Sequence, residues 1–260
     1  MSEFVAALPM YDWLEVRADT DALWSRIRDT LGAQGIDAPE RLARRNADLP
    51  PVPGGIRDAA GNRIATDPAT LPPDELDMQV LWRHPKLIFA QTCWGPMELG
   101  LASHVRVVGQ PDYSPYEGGE GEHYSSAILM RRLEGEGVPA PADGGMLIPL
   151  ERLRGRRFAY NGTDSMSGLI ALTRDLATRG ESPDMFSQTV ETGSHRASAV
   201  AVAKGEADVC AVDCRSWDLI RRFEPLASEV VVAGWTARRK GLPYIAARSA
   251  PPYSLDFATI

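Results

Sequence analysis

Apolar residues in this chain fall into two repeating textures. Short unbroken apolar runs read as buried strands: Val5 to Met10, Leu87 to Gln91, Val105 to Val108, Tyr124 to Arg131, Ala207 to Val212, Val230 to Ala233 and Tyr244 to Ala247. Between them, apolar residues recur at helical spacing. Leu23, Trp24, Ile27 and Leu31 stripe a helix over Asp19 to Leu31, capped by Asp19 or Thr20. Leu169, Ile170, Leu172 and Leu176 stripe another, and Ala197, Val200, Ala201 and Ala203 give a small-sided helix that stops at Gly205. Further helices are expected over Met78 to His84, from Met97 to Ala102 and over Arg215 to Arg222, and a strand over Ser187 to Thr192. Strand followed by helix throughout is an α/β pattern.

Two stretches break the pattern. Asn46 to Leu76 is rich in Pro, Gly and Asp and reads as a long surface insertion with a hairpin around Ala60-Gly61-Asn62. Thr236 to Gly241 carries Arg238, Arg239 and Lys240 and reads as a solvated turn.

The strand-to-helix turns hold the candidate chemistry, because ligands collect at the carboxyl ends of strands in α/β sheets. The most polar follows Phe158-Ala159-Tyr160 and Asn161-Gly162: Thr163, Asp164, Ser165 and Ser167 lie within five positions. A helix start offers unpaired N–H groups and a positive dipole end, so hydroxyls and glycine there suit an anion. One such residue would suffice as a cap. Gly193-Ser194-His195 and Asp213 to Ser216 are the other polar turns of the second half; Tyr11 and Thr92-Cys93-Trp94 are those of the first. Asp213 could cap the helix from Arg215 or accept from a ligand hydroxyl or amino group, and His195 could donate to an anion oxygen. Tyr11 and Trp94 could be core aromatics or walls for an organic substituent.

Composition narrows the classes. The chain has 260 residues, long enough for one large domain or two smaller ones. Its net charge is −7 without a long basic run, which speaks against nucleic acid. Cys93, Cys210 and Cys214 form neither a disulfide framework nor a zinc ribbon. His84, His104 and His123 share no ligand spacing, so no metal and no cofactor are expected. No apolar stretch is long enough to span a membrane. Met1-Ser2-Glu3-Phe4 lacks a basic region, so no signal peptide is read here; the expected location is periplasmic if a leader was removed and cytoplasmic otherwise.

Taken in order, Pro9-Met10-Tyr11-Asp12, Gln91-Thr92-Cys93, Tyr124-Ser125-Ser126, Thr163 to Gly168, Gly193 to Ser198 and Gly205 to Asp213 resemble the phosphate/phosphite/phosphonate substrate-binding proteins of ABC importers. The resemblance runs over roughly residues 4 to 249. It implies a two-lobed type II periplasmic-binding-protein fold, each lobe a mixed sheet flanked by helices with a hinge between. Residues 1–125 plus 235–260 would form the first lobe and 126–234 the second. It implies that Thr163, Ser165 and Ser167 grip the oxyanion, and that His195, Asp213, Tyr124 and Tyr11 line the site; Asp164, Thr92 and Trp94 are further candidate contacts from the polar turns. The implied function is a solute-binding protein that closes on a small oxyanion, a phosphonate first, with ABC-transporter membrane subunits as partners, or a cytoplasmic sensor of the same ligand. Relatives commonly continue with helix after the last strand, whereas this sequence ends at Ile260. The competing expectation is an enzyme on the same fold, of the menaquinone or thiamine-pyrimidine type, with His195 and Asp213 in acid–base roles.

Overall fold

The structure is a computed structural model that describes residues 3–257. Met1 and Ser2, part of the stretch read for a leader, and residues 258–260, part of the first expected lobe, lie outside the described residues. In chain order the strands are β1 (Val5–Ala7), β2 (Ile56–Arg57), β3 (Arg63–Ala65), β4 (Leu87–Gln91), β5 (Val105–Gly109), β6 (Gly119–Glu120), β7 (His123–Tyr124), β8 (Ser126–Arg131), β9 (Arg157–Tyr160), β10 (Gln188–Glu191), β11 (Val209–Asp213), β12 (Val230–Trp235), β13 (Arg239–Lys240) and β14 (Tyr244–Ala247). The principal helices are α1 (Arg17–Ala33), α2 (Met78–Arg83), α3 (Trp94–Glu98), α4 (Leu150–Leu153), α5 (Ala171–Ala177), α6 (His195–Lys204) and α7 (Cys214–Phe223).

The chain divides into two compact units, Met1–Pro111 with Leu242–Ile260, and Asp112–Gly241. In the first, a sheet of order β1-β4-β14-β5 pairs β1 parallel to β4 and β14 antiparallel to its neighbours. Side chains alternate across a strand. Val5 and Ala7 therefore join the core that contains Val80, Leu81 and Trp82 of α2, while Ala6 and Leu8 join the core built on Trp24, Ile27 and Leu31 of α1. The expected first strand is shorter than its apolar run and stops at Ala7. The helix expected over Met97 to Ala102 instead starts at Trp94 and ends at Glu98, because Gly100 turns the chain with φ of 115° into a separate 3-10 turn.

The Pro/Gly-rich tract does contain the hairpin, β2 with β3. It is not simple surface decoration. Leu49 and Ile56 are core residues. Asn46 is buried, donates to the Pro72 carbonyl and accepts from the Asp77 N–H. Fully buried His84 sits 3.0 Å from the Pro50 carbonyl through Nε2 and accepts from the Lys86 N–H through Nδ1. Burial holds the imidazole below the usual histidine range, so the ring is neutral when it clamps the tract.

The second unit is built on a sheet of order β10-β9-β11-β8-β12. Strands β10, β9 and β11 run parallel, and β8 and β12 are antiparallel neighbours. Phe158, Val209, Ala211, Ile128 and Met130 pack on Leu172 and Leu176 of α5, and the small-sided α6 packs on β8, β9 and β11. The run expected as one strand over Tyr124 to Arg131 is two strands in different sheets. Ser125 separates them, its N–H bonded to the Gly118 carbonyl. Residues 112–125 and 235–241 belong to this second unit, outside the first expected lobe: β12 continues to Trp235, and β7 pairs with both β13 and β6. Gly241 leaves room for the Tyr113 ring, which an added Cβ would approach to 2.0 Å.

The expected solvated basic turn is a correction of the same kind. Arg239 donates to Asp175 Oδ1 at 2.7 Å and the Ala237 N–H donates to Asp175 Oδ2 at 2.7 Å. Arg238 pairs with Glu120. Both arginine side chains are largely withdrawn from solvent because a buried carboxylate on α5 and a neighbouring strand supply their counter-charges.

Candidate functional site

Parallel pairing places three strand ends on one edge. β9, β10 and β11 all point the same way, so the turn at 161–167, the turn at 192–195 and Asp213 emerge together. The chain goes from central β9 to β10 on one side, then crosses to β11 on the other. Such a reversal of strand order is where open α/β sheets bind ligands.

The first turn is set by local chemistry. Ser165 has extended backbone angles and its Oγ accepts the Gly168 N–H at 3.0 Å, an N-cap. Met166–Ile170 is a π turn, with the Ile170 N–H bonded to the Ser165 carbonyl at 3.0 Å, before α5 begins. Widened turns of this kind are frequent at functional sites. Gly168 is required by a close approach: a Cβ there would lie 1.8 Å from Asn161 Oδ1, a buried oxygen without a hydrogen-bond partner. The turn thus packs the end of β9 directly onto the helix start.

His195 opens α6, with Ser194 capping through Oγ to the Ala197 N–H. Its Nε2 lies 2.9 Å from Ser167 Oγ and 3.4 Å from Asp213 Oδ2. Asp213, 1% exposed, also caps α7: Oδ1 accepts the Ser216 N–H at 2.9 Å and Oδ2 accepts the Ser216 hydroxyl at 2.6 Å. Of the two roles open for Asp213 in the sequence, the structure shows the helix cap, and the same carboxylate also faces the histidine. Burial pushes the His195 pKa below its ordinary value, opposed by the Asp213 charge and the Ala211 carbonyl. At neutral pH the ring is neutral and Asp213 supplies negative charge beneath it.

The expected site residues fall into two sets. Ser165, Ser167, His195 and Asp213 belong to one constellation in the second unit. Thr163 is solvent-exposed on the same turn, and Asp164 is half-buried beside it. Tyr124 is buried in the sheet with β6 and β13, its ring 5.4 Å from that of Tyr113. Tyr11, Thr92 and Trp94 belong to the first unit. Tyr11 follows β1 and Thr92 follows β4, parallel neighbours, so both lie past the same end of that sheet. The Thr92 hydroxyl is buried without a hydrogen-bond partner. Sequence reading named Ser216 only as the end of a polar turn, without a role, and missed Asp175. The Asp213-x-x-Ser216 spacing of a helix cap could have given the first its role. An acid three residues after Leu172, beside an apolar stripe, could have flagged the second.

Among the described residues no group of His, Cys, Asp and Glu could hold a metal, and no helix is long and apolar enough to cross a membrane.

A family described as "ABC transporter, phosphonate, periplasmic substrate-binding protein" matches residues 117–253, just over half of the chain. Among solved structures, PhnD1 from Prochlorococcus marinus MIT 9301 in complex with methylphosphonate is 15% identical, with 94% of this chain and 76% of that one covered at a TM-score of 0.59. A binding protein component of an ABC phosphonate transporter from Pseudomonas aeruginosa is also 15% identical, with 96% and 70% covered at 0.60. A Xanthomonas citri protein bound to a chloride ion is 16% identical, with 96% and 80% covered at 0.56. These likenesses show the two-lobed periplasmic-binding-protein fold. No curated protein matches the chain.

Proposed function

Because the chain belongs to the phosphonate family of ABC-transporter periplasmic substrate-binding proteins, we propose that it captures a small phosphorus oxyanion, a phosphonate first, on the turn Thr163–Ser167. The family is one of transport proteins and not of enzymes. The observation that carries the proposal is the meeting of Ser167, His195 and Asp213 where three parallel strands end at a capped helix start.

The physical argument runs from donors to charge. The first-turn N–H groups and the dipole favour an anion. Hydroxyls of Thr163, Ser165 and Ser167 can orient it, each hydrogen bond to a charged oxygen contributing about 1.5–3 kcal/mol. Asp213 disfavours the more highly charged forms of a ligand and so favours a monoanion. Asp164, Tyr124, and Tyr11, Thr92 and Trp94 of the first unit are proposed as further ligand contacts. Delivery to ABC-transporter membrane subunits, from the periplasm, belongs to the same proposal.

Ser167 and Asp213 both address the same ring nitrogen of His195. An acid–base triad needs its carboxylate on the opposite nitrogen from the nucleophile. The arrangement suits binding rather than turnover.

The test is calorimetry on protein stripped of ligand by denaturation and refolding, with methylphosphonate, methanesulfonate and acetate. Micromolar binding of methylphosphonate with weaker sulfonate and acetate is the expected result. No heat with any phosphonate, phosphite or phosphate overturns the proposal.

A further inference from the structure

Two groups meet at one ring nitrogen, and a third holds one of them in place. His195 Nε2 faces Ser167 Oγ at 2.9 Å and Asp213 Oδ2 at 3.4 Å, and that same Oδ2 accepts from the Ser216 hydroxyl at 2.6 Å. The other ring nitrogen, Nδ1, is buried without a hydrogen-bond partner. We propose that Asp213 and Ser216 are positioning residues that fix His195 as the Nε2–H tautomer and thereby commit the Ser167 hydroxyl to donating toward the bound anion. The proposal deepens, and rests on, the anion-binding reading of this turn.

The tautomer follows from the charge beside it. A lone pair on Nε2 would face a carboxylate oxygen at 3.4 Å in a buried setting, acceptor against acceptor. A proton on Nε2 removes that repulsion and lets the ring donate to Ser167 Oγ. The charged side chain facing the ring is Asp213, from the end of β11; the Ala211 carbonyl of the same strand is a hydrogen-bond acceptor for the ring, and the hydroxyl of Ser167 faces it from the π turn. Ser216, from α7, pins both carboxylate oxygens and so holds the charge in place.

The consequence lies at Ser167. A hydroxyl has one proton and two lone pairs. When Ser167 accepts from Nε2–H, its own proton is free for an anion oxygen, and donors linked in such a chain polarise one another. With the opposite tautomer Ser167 would give its proton to Nε2 and present lone pairs to the anion. A ring proton thus sets whether this hydroxyl attracts or repels the ligand.

The test reads the ring directly. Long-range proton–nitrogen NMR of ¹⁵N-histidine-labelled, ligand-free protein at pH 7.5 separates the two tautomers, with His195 assigned from a His195→Gln sample. The wild type is expected to show the Nε2–H pattern, and Asp213→Asn to move it toward Nδ1–H with methylphosphonate binding weakened by about tenfold, the order of one charge-assisted hydrogen bond. Ser216→Ala keeps the charge and loosens the carboxylate; a partial shift of the pattern is expected, with affinity about threefold weaker. It serves equally if Asp213→Asn does not fold. A Nδ1–H pattern in the wild type overturns the assignment, as does a pattern unmoved in either folded variant. Absence of phosphorus oxyanion binding in a wild type that carries Nε2–H instead overturns the anion reading and the role given to Ser167, leaving the tautomer assignment standing.

Discussion

Strand β11 carries an aspartate at each end, and the two are solved differently. Asp208, just before the strand, receives the Arg157 guanidinium at two points, 3.0 Å from Nε to Oδ2 and 2.7 Å from NH2 to Oδ1, and the Arg157 N–H as well. The guanidinium holds its carboxyl down at about 2. Asp213, at the other end, is capped by Ser216 and faces a neutral histidine. One end is a neutralised fastening between β9 and β11. The other sets a buried carboxylate against hydroxyls and a titratable ring. The amino end of the parallel strands thus serves stability, and the carboxyl end carries the groups proposed for recognition.

That contrast can be broken from either end. The largest effect is expected for Ser167→Ala at the recognition end: methylphosphonate affinity falls by about 10- to 100-fold, the worth of a hydrogen bond to a charged oxygen. Calorimetry reads it, with the urea midpoint moving little. An unaltered affinity would remove Ser167 from the site. Next comes Asp208→Asn at the fastening end. It is expected to cost at most about 2 kcal/mol at pH 7, because Arg157 is partly solvated, while leaving ligand affinity unchanged. The folded pKa of Asp208 is depressed, so its contribution is present above the ordinary aspartate range and is lost as pH falls through about 2. Urea titrations of wild type and variant should therefore converge toward that pH.

A smaller effect concerns the histidines. Burial lowers both His84 and His195. The unfolded chain takes up their protons below about pH 6.5 while the folded chain resists, so stability falls as pH drops through that window. The slope is at most about 1.4 kcal/mol per pH unit for each ring. His84→Gln is expected to flatten the fall in urea midpoint between pH 7.5 and 5.5. An equal slope in the variant would show that His84 is protonated equally in both states. The smallest effect is expected for exposed Thr163→Val: within about 0.5 kcal/mol in stability, with a modest loss of affinity read by the same calorimetry.

Much of the second unit was legible because its chemistry is local. Apolar runs mark β9, β11 and β12, and the clustered small polar residues mark the turn from β9 into α5. A cap such as Ser165 or Ser194 depends on residues three positions away, which a linear reading can see. The π turn was not legible, because it depends on Asn161 packing against Gly168. Nor was the split of the run Tyr124 to Arg131, since whether a strand stays in its sheet depends on a partner over 100 residues distant, Arg239 against Tyr124.

The sequence by itself determined the alternation of strand and helix, the polar strand ends and the family to which they belong, because periodicity and capping act over a few residues. Tertiary structure decided which charges are spent and which remain. It turned the supposed solvated arginines into ion-pair partners, Arg239 of buried Asp175 and Arg238 of Glu120, and the supposed surface tract into a segment clamped by His84. It also brought Ser167, His195 and the capped Asp213 together. The separations of these three in sequence carry no trace of this, because the parallel register of three strands makes them neighbours.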